Sequence, residues 1–221
     1  THVMVYGEFI QEPAVELTKL LSGLLPDNLT TTYLTNSGTE AIEGSMKLAR
    51  RATGRKEIIY SKKAYHGNTM GALSIMGVEE RKKIFQPLLP NCNSIEFNNE
   101  KDILKITSKT AGVVLETIQG GAGFIVPKND YLRKVKNRCS AVGALLILDE
   151  IQPGFGRTGK LFGFEHYDIS PDILAIGKGM GGGMPIGAFT ASKELMSLLS
   201  NNPKLGHITT FGGHPVIASA A

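Results

Sequence analysis

Tryptophan is missing from the 221 residues and cysteine occurs only twice. Charge of neither sign dominates, since 24 lysines and arginines stand against 20 acids, a formal net charge of +4. Each scarcity closes off a class of protein. Cys92 and Cys139 are too few for a disulfide framework and lack Cys-x-x-Cys spacing, so reduced structural thiols in a cytoplasmic protein are expected. The histidines (His2, His66, His166, His207 and His214) never fall into His-x-x-x-His spacing, and no metal site is expected. No apolar run approaches the roughly 18 residues that a membrane-spanning helix needs. The opening Thr1-His2-Val3-Met4 shows no charged stretch followed by an apolar signal core, so secretion is not expected. The densest basic stretch runs from Lys47 through Arg50, Arg51, Arg55 and Lys56 to Lys63. No base-stacking aromatics interleave with it, and it reads as cations set against a helix C-terminus rather than as a nucleic-acid site.

What is present is an alternation of helical and strand patterns, with 42% hydrophobic residues to fill a core. A first helix is expected from near Pro13, with Leu17, Leu20, Leu21 and Leu24 at helical spacing and Pro26 as its stop. A second follows Asn36-Ser37-Gly38-Thr39, where Ser37 and Glu40 have capping-box spacing and Gly54 ends the run. Further helices are expected around Leu132, Val135, Cys139 and Val142, and after Ser192. Strands are expected at 32–35, 57–60, 94–97, 112–115, 144–148, 173–176 and 186–190. Ala218-Ser219-Ala220-Ala221 reads as the opening of a helix, and the sequence as a piece of a longer protein. Continuous apolar strands between amphipathic helices indicate an α/β, three-layer αβα fold with a mostly parallel sheet. Such sheets bind ligands beyond the carboxyl ends of their strands, which directs attention to Asn36-Ser37-Gly38, Glu116, Asp149 and Gly177-Lys178.

Three glycine-rich readings compete. Gly154-Phe155-Gly156-Arg157-Thr158-Gly159 matches a dinucleotide fingerprint, but Pro153 breaks its entry and no amphipathic helix follows. Its extension to Lys160 nearly matches a P-loop, with Leu161 where a magnesium-binding hydroxyl belongs. The third, Gly177-Lys178-Gly179-Met180-Gly181-Gly182-Gly183, sets one lysine among glycines at a strand end and leaves room for a planar ligand. By itself Lys178 could be a solvated turn lysine. Asp149, ending five apolar residues, needs a partner, because an unpaired buried carboxylate is costly; it could cap a loop or face a cationic ring nitrogen. Ser37-Gly38-Thr39 could be an ordinary helix cap or a phosphate cup. An amine, a carboxylate and an anion anchor together are what pyridoxal phosphate requires.

Order and spacing then resemble the class III aminotransferases, the ornithine, acetylornithine and 4-aminobutyrate type, over nearly the whole chain. Asn36-Ser37-Gly38-Thr39-Glu40-Ala41 is similar to the family's phosphate-cup motif, and Tyr65-His66-Gly67 to its aromatic-His-Gly motif. Leu148-Asp149-Glu150-Ile151-Gln152 resembles its Asp-Glu-Val-Gln motif, and Gly177-Lys178-Gly179 its Schiff-base lysine. Thr209-Thr210-Phe211-Gly212-Gly213-His214-Pro215 is similar to the segment whose Thr reaches a neighbouring subunit's phosphate. The resemblance implies a fold type I large domain over residues 1–221, pyridoxal phosphate as cofactor, and a homodimer. It implies Lys178 and Asp149 as catalytic residues, with Ser37, Gly38, Thr39, Tyr65, His66, Glu116, Ile151, Gln152 and Thr210 at the cofactor. The implied reaction moves an amino group from an amino acid or amine to an oxo acid, 2-oxoglutarate being the expected acceptor. A glutamate-1-semialdehyde-type aminomutase or a non-catalytic relative are the alternatives. Two positions depart from the family's substrate-carboxylate pattern: Asn68 stands where an Arg is usual, and Gly121 where a Glu is usual.

Overall fold

The most apolar stretch of the chain becomes the centre of a sheet. In this computed structural model, which describes residues 9–128 and 130–221, seven strands form one sheet. In chain order they are β1 (Thr31–Thr35), β2 (Glu57–Ser61), β3 (Cys92–Ile95), β4 (Thr110–Glu116), β5 (Leu145–Asp149), β6 (Ile173–Gly177) and β7 (Gly187–Ala191). Their spatial order is β1-β7-β6-β5-β4-β2-β3. Strands β3, β2, β4, β5 and β6 run parallel, while β7 is antiparallel to both β6 and β1. The central strands β4 and β6 are buried at every residue, as continuous apolar runs covered on both faces require. The opening Thr1 to Met4, with His2, lies outside the described residues.

The pleat sorts side chains into two cores. On one face Val113, Leu115, Leu146, Leu148, Leu174 and Ile176 pack with Leu17 and Leu21 of α1 (Glu12–Leu24) and Leu132, Val135 and Cys139 of α5 (Tyr131–Val142). On the other, Val114, Ile147, Ile173, Ala175 and Phe189 pack with Ala41, Ile42, Met46, Leu48 and Ala49 of α2 (Gly38–Thr53). Short helices α3 (Met70–Ser74), α4 (Glu79–Lys82), α6 (Lys193–Ser197) and α7 (Pro215–Ala220) complete the α-helices among the described residues. Helix α2 lies so close to the sheet that a side-chain carbon at Gly44 would run into the buried ring of Phe189.

Four details differ from the sequence reading. The strand expected at 94–97 forms at Cys92–Ile95, because the Glu96 amide leaves the sheet to donate to Asp102 Oδ2 at 2.8 Å and Asn98 takes a left-handed turn at φ 66°. The capping box of α2 is half as expected: Ser37 Oγ accepts from the Glu40 amide at 3.3 Å, but Glu40 reaches back one residue further, to the Asn36 amide at 2.8 Å. Leu20 and Leu24 of α1 are exposed, so its buried stripe is only Pro13, Leu17 and Leu21. Helices α3 and α4 were not anticipated. The basic stretch does set Arg50 and Arg51 in the last turn of α2, while Arg55 donates to the carbonyls of Thr110, Val142 and Gly143.

Candidate active site

Register places the sequence-selected residues at one edge of the sheet. Glu116 pairs with Asp149 across β4 and β5, and Asp149 with Ala175 across β5 and β6, two residues before Gly177. Asp149 follows Ile147 on the pleat and Gly177 follows Ala175, so both strand ends face the layer that holds α2. Helix α2 begins at that same edge. Gly38 lies against Gly177, since a carbon added at Gly177 would sit 3.6 Å from the Gly38 Cα. One at Gly38 would come within 2.7 Å of Ile151 Cδ1. Gly67, held at φ 130°, abuts the Thr39 hydroxyl so closely that no side chain fits there.

The partner that Asp149 needs is His66. Asp149 is 3% exposed and His66 2%, and His66 Nδ1 stands 2.7 Å from Asp149 Oδ2. A carboxylate only accepts, so this nitrogen carries the proton. Oδ1 accepts the Ile151 amide at 3.0 Å. His66 Nε2 is buried without a partner among the described residues. Glu116 joins two loops: Oε1 accepts the Tyr65 amide at 2.7 Å and Oε2 the Gly120 amide at 2.9 Å. Burial, together with the nearby Asp149 charge, pushes the Glu116 carboxyl above the ordinary range; His66 and the two amides partly offset this. The Gln152 side chain lies over Gly120, where an added carbon would stand 2.7 Å from its amide carbon. Tyr65 is half-exposed beside Gly121.

Lys178 follows β6, exposed, with its backbone at φ 47°, a left-handed conformation that costs a non-glycine residue about 1–2 kcal/mol. Ser37 caps α2, and the amides of Gly38 and Thr39, first in the helix, have no intrahelical acceptor, the arrangement that binds anions. Thr210 is the exception. It is exposed, and no hydrogen bond joins it to the other site residues; it lines a cleft of about 1010 Å³ between α1, β1, α6 and the segment before α7. The 154–159 stretch is a series of turns in which Gly156 donates to Leu161 and Gly159 to Gly156, followed by one short 3-10 turn at Gly163–His166 rather than an α-helix.

Sequence reasoning missed the Asp149–His66 pairing and the network behind the cup. Thr39 Oγ1 stands 2.9 Å from Thr69 Oγ1, and Thr69 donates to Glu43 at 2.5 Å. It also passed over Glu150, fully buried, which accepts from the Thr117 hydroxyl at 2.6 Å and from the Gly163 and Phe164 amides at 2.8 Å each. Burial pushes its carboxyl up to about 7 against those donors. An acid after a strand-end acid was the available signal.

An amine follows one strand end, a clamped carboxylate closes the next, and helix amides without intrahelical acceptors begin at the same edge, an arrangement suited to an anionic group. The family described as aminotransferase class-III matches residues 1–221. A [LysW]-aminoadipate semialdehyde/glutamate semialdehyde transaminase of Sulfolobus acidocaldarius is 41% identical over 205 residues, 93% of this chain and 52% of that protein. A putrescine aminotransferase of Pectobacterium atrosepticum is 44% identical over 216 residues, covering 93% and 46%. The ornithine aminotransferase of Toxoplasma gondii, described with partial occupancy of PLP at its active site, superposes with a TM-score of 0.91 at 29% identity, over 98% of this chain and 52% of that one. The chain belongs to the class III aminotransferases. It spans about half the length of the curated relatives it matches.

Proposed function

We propose that residues 1–221 form the cofactor-binding large domain of a pyridoxal-phosphate-dependent aminotransferase, cytoplasmic and homodimeric. It moves an amino group from an amino acid or amine to an oxo acid, with 2-oxoglutarate the expected acceptor. The observation that carries this is Asp149, clamped by His66 and the Ile151 amide, at the sheet edge where β6 runs into Lys178 and α2 begins. The residues fit the cofactor: an unpaired amine, an oriented carboxylate and free helix amides are one set of contacts for an aldehyde, a ring nitrogen and a phosphate.

Bound pyridoxal phosphate supplies an aldehyde that captures amines and a ring that accepts the electrons left when a substrate carbon loses a proton. Lys178 would hold the cofactor through Nζ, and the same amine, when free, would be the general base for that proton. Asp149 holds the proton of the ring nitrogen in place, and His66 keeps the carboxylate turned toward it. Ser37 and the amides of Gly38 and Thr39 hold the phosphate. Ile151 and Tyr65 supply apolar and aromatic contact to the ring, and Gln152 a hydrogen bond to its hydroxyl. Glu116 fixes the loops that bear Tyr65 and Gly120. Thr210 serves the phosphate of the neighbouring subunit. Asn68 gives the substrate side an uncharged amide where an Arg would clamp a carboxylate.

The test is a panel of amines and amino acids offered to the full-length protein with 2-oxoglutarate, following glutamate. Glutamate formed in step with loss of one donor is expected. Product formed with no external oxo acid consumed would instead identify an aminomutase, and no product from any donor would fit a non-catalytic relative.

A further inference from the structure

The segment that carries Thr209 and Thr210 is held by a cluster outside the site described above. The ring of His207 stands 4.9 Å from that of Tyr33 on β1 and 5.6 Å from that of Phe189 on β7. Those two rings stack on each other at 5.3 Å. Lys47 of α2 places Nζ 3.0 Å from His207 Nδ1 and donates to the Gly206 carbonyl at 3.1 Å. The Tyr33 hydroxyl donates to the His207 carbonyl at 3.1 Å, and Thr209 hydrogen-bonds the same hydroxyl. Gly212 lies so tightly on the Leu34 carbonyl of β1 that no side chain fits. An ammonium only donates, so Nδ1 has to be the bare nitrogen and the ring neutral, with its proton on Nε2.

We infer that His207 is a positioning residue whose neutral ring, accepting from Lys47, latches residues 204–213 onto α2 and β1 and so fixes where Thr209 and Thr210 stand. A second proton would turn the acceptor into a cation 3.0 Å from the Lys47 ammonium, and the latch would open in acid. Burial, then Lys47, hold the imidazole below its ordinary 6.5, while Glu40 and Glu43 of α2 pull it the other way. Tyr33 of β1 is a phenol raised by burial, and Phe189 of β7 brings no charge. The latch is independent of the cofactor assignment; the value given to Thr210 rests on it.

Hydrogen exchange over 204–213 in the full-length protein tests this, beside a pyridoxal phosphate titration of each variant. At about pH 8 exchange should be slow in the wild type and about tenfold faster in Lys47→Met and His207→Phe. His207→Asn, which keeps an acceptor near the Nδ1 position, should recover part of the protection. Acidification below the ordinary imidazole range should loosen the wild type alone, after correction for intrinsic rates. Wild-type protection in His207→Phe would mean that ring stacking suffices and would overturn the latch, as would protection unchanged by acid. Loosening with unaltered cofactor affinity would uphold the latch and remove Thr210 from the cofactor's contacts.

Discussion

A carboxylate at the end of a buried strand has to find donors, and Asp149 finds a ring N–H and a main-chain amide. Those two bonds fix its orientation, as the role proposed for it beside a ring nitrogen needs. Asp149→Ala is therefore expected to lower turnover about 10²–10⁴-fold. It should also cost about 1–3 kcal/mol of stability, because the His66 N–H is left buried and unpaired. Steady-state kinetics beside denaturant titration would read both; a stability loss with unchanged turnover would reduce Asp149 to a structural role. Glu150 makes a separate prediction. Its carboxyl is pushed from 4.5 to about 7 by burial, so the folded chain binds the proton more readily than the unfolded one between those values. Its contribution to stability thus falls as pH rises across that window. A Glu150→Gln chain, which has no proton to lose there, should show a flatter stability profile by calorimetry between about pH 4.5 and 7.

Helix α2 links the sheet to the site, and its contacts leave little slack. A methyl at Gly44 would meet the ring of Phe189, which is fully buried and has nowhere to retreat, so Gly44→Ala should destabilise by about 1–3 kcal/mol in a thermal melt. A methyl at Gly38 would displace Ile151 instead, and Gly38→Ala should weaken cofactor binding more than it lowers the melting temperature. Much at this scale was legible in the sequence. The start and stop of α2 followed from Ser37 and Gly54, and β5 and β6 from unbroken apolar runs ending at Asp149 and Gly177. The reversal of β7 was not legible, because a short apolar strand carries no sign of its direction. Nor was the pairing of His66 with Asp149, made across 83 residues of chain, where no local pattern joins the two. Glu40 shows the limit of spacing rules: three residues separate it from Ser37, yet its carboxylate takes the amide of Asn36.

At the scale of the molecule, the site residues of one chain gather at one sheet edge, except Thr210, which faces the large cleft beside α1 and β1. If Thr210 serves a neighbouring subunit's phosphate as proposed, Thr210→Ala in the full-length protein should weaken pyridoxal phosphate binding about tenfold, the worth of one hydrogen bond to a charged group. Its sedimentation should be unchanged. Equal affinity in the two proteins would assign Thr210 elsewhere. The proposed function requires the Lys178 amine to meet the cofactor aldehyde. Full-length protein incubated with pyridoxal phosphate, reduced with borohydride and digested should carry the pyridoxyl mass on the peptide containing Lys178, and Lys178→Ala should carry none there. A label spread over surface lysines, or one that survives unchanged in Lys178→Ala, would contradict it.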